Sequence, residues 1–310
     1  MYMKNISVIV NDIDESVAST NKLHGYKKVH SVCDTVKSFF DDKYHNNINE
    51  AECTNYKNIE FSGCALDEHK YYYDGILNLE LLKKENEKGV VNIEKKVKES
   101  LSKGNIPLVI GGSHGISYNT VKTVKEHINK DIGLVYFDSH NDCGKDCEHR
   151  VGTIDRCSWV KRLIDDNIIK PENILFISNN PETLSEETYC TENGTKYINE
   201  AEIERNYESD VDDRLYNSLE QLSKKVKDIY ISYDRDYNNK EGVAIPAYSE
   251  SESIYPKIDA IKEAGANIVG VDIQEYFPPN EKTTVGLFGV YPSTRRSLYN
   301  NIYDIIERIR

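Results

Sequence analysis

Apolar residues in this chain come in short runs, and between the runs they recur at helical spacing. "NISVIV" near the start reads as a first strand. The stretch after it, to about residue 75, is polar, rich in Asn, Asp and Tyr, and weakly periodic. Beyond it the pattern sharpens. Val90, Ile93, Val97 and Leu101 share one face of a helix that Gly104 is placed to stop. "IPLVIGG" and "IGLVYFD" read as buried strands, "CSWVKRLIDD" as a helix and "NILFIS" as a strand. Val211, Leu215, Leu219, Leu222 and Val226 mark another helix, which leads into the strand "IYISYD". Residues 255–264 form a helix closed by Gly265, "NIVGVD" is the next strand, and "STRRSLYNNIYDIIERIR" reads as a terminal helix. Strands separated by helices build parallel βαβ units with helices on both faces. The expected fold is therefore α/β, a three-layer α/β/α domain around a mostly parallel central sheet. With no linker and no fixed repeat, residues 1–310 read as one domain.

Charge and cysteine content narrow the partners. The 310 residues include 52 acids against 39 Lys and Arg, a formal charge of −13. Such a surface repels nucleic acid and anionic lipid, so neither is expected as a partner. No apolar run is long enough to cross a membrane, and the first residues lack the apolar segment of a secretory signal. The seven cysteines are scattered, and no CxxC pair offers zinc-finger spacing. Cys143 and Cys147 are expected to be ordinary thiols. A reducing, cytoplasmic location fits this usage.

The chemistry gathers where the strands end, the edge at which open α/β sheets bind ligands. After "PLVI" comes "GGSHGIS" with His114; after "GLVYF" come Asp138, His140 and Asp142. After "IYISY" come Asp234 and Asp236, and after "IVGV" come Asp272 and Glu275. Extended backbone sends alternate residues to one side, so Asp138, His140 and Asp142 can converge, as can Asp234 and Asp236. Any one of these, taken alone, is more often a turn acid or a loop histidine. Two histidines and four aspartates at successive strand ends are different. Such carboxylates repel one another unless cations or protons intervene. Carboxylate and imidazole without thiolate suit manganese or a similar divalent ion better than structural zinc.

These motifs resemble the arginase/agmatinase/formimidoylglutamase family, the ureohydrolases. The family's GGDH, DAHxD, SxDxDxxDP and DxxE stand here as "GGSH" (111–114), "DSHND" (138–142), "SYDRDYNN" (232–239) and "DIQE" (272–275). The likeness covers roughly residues 105–310, while 1–104 lack the family's usual glycine- and proline-containing pattern. The resemblance implies an arginase-like fold and two manganese ions held or bridged by His114, Asp138, His140, Asp142, Asp234 and Asp236. It implies a hydroxide shared by the ions, which attacks the planar carbon of a guanidine or amidine. Asp142 would take the hydroxide proton and help return it to the leaving amine, and Glu275 would face the cationic substrate group. Arginases and agmatinases carry a proton-shuttle histidine between the second and third motifs. His149 in "CEHRVGT" is the candidate, with an ordinary loop histidine as the alternative. Trimers or hexamers are implied as well. Ser113 replaces the family Asp beside the metal histidine, and Asn239-Lys240 replace the terminal acid-proline.

The resemblance implies an amidine or guanidine substrate, and short features lean toward formimidoylglutamate. "CGKDCEHRVGT" replaces the arginase loop that grips the amino-acid end of arginine. Asn180 stands where arginases place an acid for the α-amino group. Ser113, "VGT" and "SNNPETL" look more like formimidoylglutamase sequence. A glutamate-like substrate needs cationic partners, for which Arg150, Arg156 and Arg235 are candidates. The alternatives are an arginase or agmatinase releasing urea, or a non-catalytic ureohydrolase-like binding protein.

Overall fold

The computed structural model describes residues 5–11, 36, 59–64, 79–144, 156–178, 192–200, 213–238, 254–275, 302 and 305–309. The strands are β1 (Ile6–Asn11), β2 (Ile59–Cys64), β3 (Ile106–Gly111), β4 (Gly133–Phe137), β5 (Ile174–Ser178), β6 (Lys196–Asn199), β7 (Asp228–Asp234) and β8 (Asn267–Gln274). The helices are α1 (Leu79–Ser102), α2 (Ser117–Ile128), α3 (Trp159–Asp165), α4 (Asp213–Lys225) and α5 (Tyr255–Glu263). All eight strands lie in one sheet, in the order β2-β1-β3-β8-β7-β4-β5-β6, and every pairing is parallel.

Side-chain alternation along the strands fills two cores, one on each face. Ile106, Leu108 and Ile110 of β3 and Ile229, Ile231 and Tyr233 of β7 point to one face. There Leu215, Leu219 and Leu222 of α4 and Ile258 and Ile261 of α5 cover them, with Ile305, Ile306 and Ile309. On the other face Ile9, Val109, Leu134 and Tyr136 meet Ile93 and Val97 of α1, Val121 and Val124 of α2, and Trp159 and Leu163 of α3. The three-layer arrangement follows from that two-sided burial. The glycines expected to end helices do so in left-handed geometry, Gly104 at φ +75° and Gly265 at φ +80°. Among the described residues no helix is long and apolar enough to cross a membrane.

The order in which the strands are laid down sets up the site. β1, β2 and β3 build one wing and β4, β5 and β6 the other; β7 and β8 then fill the centre. Strand β3 therefore ends three strand spacings from β4, about 14 Å away. Whatever joins their ends has to lean across β8 and β7.

Candidate functional site

His114 makes that crossing. After β3 the chain turns at Gly112 and Ser113 and enters a single 3-10 turn, His114–Ile116, which α2 continues. The Ser113 hydroxyl accepts from the Gly115 N–H at 3.3 Å, so the serine caps its own turn. His114 is held instead from the two central strands. Its main-chain N–H donates to Glu275 Oε1 at 3.1 Å, beyond β8, and its Nε2 lies 2.9 Å from Ser232 Oγ on β7.

Four charged groups meet there. His114 Nδ1 lies 3.1 Å from Asp138 Oδ2, 3.1 Å from Asp142 Oδ2 and 2.9 Å from Asp234 Oδ2. All four side chains are buried. No oxygen lies on the Nδ1–H line well enough to form a hydrogen bond, and Asp138 Oδ2 has no hydrogen-bond partner either. The nitrogen is ringed by three carboxylates at ion-pair distance. One ligand atom each from His114, Asp138 and Asp234 falls within 4.8 Å of the others. Ligand bonds of about 2.0–2.3 Å set at right angles would space neighbouring donors roughly 3 Å apart. The donor set and its spacing therefore fit a divalent cation.

Electrostatics tell the same story. Burial lowers the His114 pKa, but Asp138, Asp142 and Asp234 outweigh it and push it well above its ordinary value. Burial raises Asp142 to about 7, and the charge of Asp138 adds to the rise. Burial also works against ionised Asp138, yet His114 and His140 beside it hold its carboxyl below the usual range. Without a cation the cluster keeps protons that it would otherwise release.

A polar chain fixes the orientation of the imidazole. Ser232 Oγ donates to Asp272 Oδ1 at 2.6 Å, so its lone pairs face His114 and accept the Nε2–H. Tyr230 donates to Asp272 Oδ2 at 2.8 Å, and Thr120 lies 2.9 Å from the same phenol. A side chain at Gly270 would strike the Tyr230 ring at 2.6 Å, so glycine makes room for that phenol. With the proton on Nε2, Nδ1 offers its lone pair to the acids' side, the tautomer a metal ligand needs.

The DSHND segment converges by a different route from the one its spacing suggests. Strand β4 stops at Phe137, and Asp138–Asp142 form a tight loop rather than extended backbone. The Asp138 carboxylate accepts from the His140 N–H at 2.8 Å, and the Asn141 side chain accepts from the Cys143 N–H at 3.0 Å. Asp142 is left-handed, at φ +48°. Past Asp138, whose N–H still bonds Ile177 O at 3.1 Å, side-chain bonds to the backbone replace the sheet ladder and break the two-residue period.

Of the expected ligands, His114, Asp138, Asp142 and Asp234 are thus together. His140 stands at the rim, its Nδ1 3.6 Å from Asp138 Oδ1 and its side chain 36% exposed. Asp236 lies in the turn Arg235–Asn238, and its side chain is outside the described residues. His149, Arg150, Asn180, Asn239 and Lys240 are also outside them. Glu275 is present at the site with left-handed backbone, φ +56°, its N–H bound to Gly112 O at 2.8 Å.

Two contacts at the site were not foreseen from the pattern. Trp159 Nε1 donates to Asp142 Oδ2 at 2.6 Å, and its ring lies 4.7 Å from that of His114. Arg156 Nη1 donates to Glu275 Oε2 at 3.1 Å. A lone tryptophan at the start of a predicted helix, seventeen positions from an acid motif, was the available hint.

Comparison with known proteins places this geometry in context. A family model described as the arginase family matches residues 43–288. An arginase of Staphylococcus aureus (strain COL) is 27% identical over 154 residues, 46% of this chain and 50% of the relative. The match thus spans half the length of that curated relative. Formimidoylglutamase from Bacillus subtilis superposes with a TM-score of 0.67 at 14% identity, covering 99% of this chain and 88% of the other. Formiminoglutamase from Trypanosoma cruzi, solved with Mn2+, gives 0.62 at 16% identity, covering 98% and 94%. At these identities the two structures establish likeness of fold.

Proposed function

The chain belongs to the arginase family, and from that premise we propose that it is a manganese-dependent hydrolase cleaving a C–N bond of a small linear amidine or guanidine. One observation carries the reading: His114 Nδ1 within 2.9–3.1 Å of oxygens from three buried aspartates. A single imidazole proton cannot balance three carboxylates, and divalent ions can. His114, Asp138, Asp142 and Asp234 would hold the first ion; His140 and Asp236, with the shared acids, would complete a second position. When bound, the ions would acidify water to give a nucleophile at neutral pH and would stabilise the charged tetrahedral centre.

The chain's own residues do the rest. Asp142, oriented by the Trp159 N–H, takes the proton of the attacking water and returns it to the leaving amine. Glu275, fixed by the His114 N–H, faces the cationic planar group. His149 is the proposed proton shuttle, and Asn180 a contact to the substrate's amino-acid end. Among substrates, an N-formimidoyl amino acid is favoured by Ser113, by "VGT" and by "SNNPETL".

The test is reconstitution with manganese, followed by a panel of arginine, agmatine, guanidinobutyrate and formimidoylglutamate scored for urea, ammonia and formamide. We expect about two ions per chain, formamide from formimidoylglutamate, and no turnover in Asp142→Asn. Less than one ion per chain at neutral pH would sink the reading. Urea from arginine or agmatine would move the assignment within the family, and ions without any turnover would leave a binding protein.

A further inference from the structure

Glu275 already has a cation on it. Its Oε1 accepts the His114 main-chain N–H at 3.1 Å, and its Oε2 accepts Arg156 Nη1 at 3.1 Å. Its main chain is fixed as well, left-handed and tied to Gly112 O at 2.8 Å. Arg156 is anchored too. The next residue's carbonyl, Cys157 O, accepts from Gly144 N at 2.9 Å, and Trp159, three positions on, donates to Asp142. The ion pair thus sits on a frame connected to the acid cluster on both sides. It is also within reach of solvent, with side chains 32% and 12% exposed.

A planar cation docking on Glu275 wants both carboxylate oxygens. Here one is committed to His114 and the other to a guanidinium of the chain itself. An incoming amidinium or guanidinium has to compete with Arg156 for Glu275, and the positive charge of Arg156 beside the site favours a ligand that brings an anion with it. A substrate carrying a carboxylate does so. One ending in an amine does not, and adds a like charge beside the arginine.

We propose that Arg156 sets the specificity of the site: it holds Glu275 in the absence of substrate and exchanges it for the substrate's carboxylate, so that a cationic head docks only when it arrives with an anionic tail. This rests on the reading of Glu275 as the acid that faces the substrate's cationic group. It deepens that reading by naming the residue that selects acid-bearing amidines and guanidines over diamine-type ones.

Agmatine and 4-guanidinobutyrate test it, because they share a guanidinium head and a four-carbon chain and differ in the tail, ammonium against carboxylate. Equilibrium binding of each to the manganese-loaded full chain is measured by calorimetry for the wild type, Arg156→Gln and Arg156→Lys. Melting curves check that the variants fold. We expect the wild type to bind guanidinobutyrate at least about tenfold more tightly than agmatine. In Arg156→Gln that preference should vanish or reverse, chiefly because agmatine binds more tightly. Arg156→Lys should keep the preference, since it keeps the charge. A tail preference unchanged in Arg156→Gln overturns the proposal, as does failure of both ligands to bind any of the three proteins. The readout is binding, so absence of urea or formamide release would count against the hydrolase assignment alone.

Discussion

Trp159 and Asp142 show how one side chain can be given two tasks. The indole packs edge-on against Tyr136, with ring centres 5.7 Å apart, and belongs to the buried core of its face. Its N–H, at 2.6 Å, is aimed at the Asp142 oxygen that also faces His114. A charge-assisted bond of that kind contributes about 1.5–3 kcal/mol and, more to the point, fixes which way the oxygen points. Trp159→Phe keeps an aromatic ring in the core but removes the donor and part of the indole's volume. We expect it to fold, to melt a few degrees lower, and to lose about 10–100-fold in manganese affinity, the usual cost of removing a bond that orients a ligand. A manganese titration followed by electron paramagnetic resonance checks this. Wild-type affinity in Trp159→Phe would show that the indole is there for packing.

At the scale of elements, the sheet was legible and several of its connections were not. Strands β3, β4 and β5 are nearly unbroken apolar runs, and β7 and β8 are apolar between their polar ends apart from Ser232 and Asp272, the mark of strands covered on both faces. β2 reads "IEFSGC" and β6 "KYIN", short edge strands whose mixed residues carry no clear period. Helix α2 was hidden because "SYNTVKTVKEHI" buries Ser117, Asn119, Thr120 and Thr123 beside its valines, so its inner face does not look apolar. Those polar positions have a use: Thr120 meets Tyr230, and Tyr230 meets Asp272. The acids themselves could be read from their strand ends, but not the loop geometry that gathers Asp138 and Asp142, because side-chain bonds to the backbone set it. Asp272, read from its strand end but given no role there, is fully buried and has its pKa raised, first by burial. Asp272→Asn would let an amide donate toward Ser232, turning that hydroxyl toward His114 as a donor. The imidazole proton would then move to Nδ1, where the ion must bind. We expect a 10–100-fold loss of manganese affinity with the sheet intact and, in the metal-free protein at a pH above the raised His114 pKa, a changed His114 tautomer by nitrogen NMR. An unaltered tautomer would break the link between strand β8 and the metal ligand.

Across the whole molecule, the four central strands β3, β8, β7 and β4 deliver the cluster, so the fold's centre carries its least comfortable charges. Metal binding and stability must then depend on pH in opposite directions. In the metal-free protein Asp142 titrates near 7, above its ordinary 3.8, because of burial and the neighbouring charge of Asp138. A carboxyl raised on folding favours the folded state while it holds its proton, so its contribution declines as pH rises from about 4 to about 7 and is flat beyond. His114, raised well above its ordinary value, likewise loses its contribution as pH climbs through its folded pKa. Asp138, held low, stays ionised throughout this range. A metal ion requires the opposite state, with Asp142 ionised and His114 Nδ1 bare, so each ion must displace those protons. Affinity should rise by up to about tenfold per pH unit for each proton displaced, some 1.4 kcal/mol, until pH passes 7 and Asp142 has nothing left to release. We therefore expect manganese to raise the melting temperature little at pH 5.5 and much more at pH 8, while the metal-free protein melts lower at pH 8 than at pH 5.5. Melting curves with and without the ion at those two values decide it. An increment independent of pH would mean that the ion does not sit among these acids.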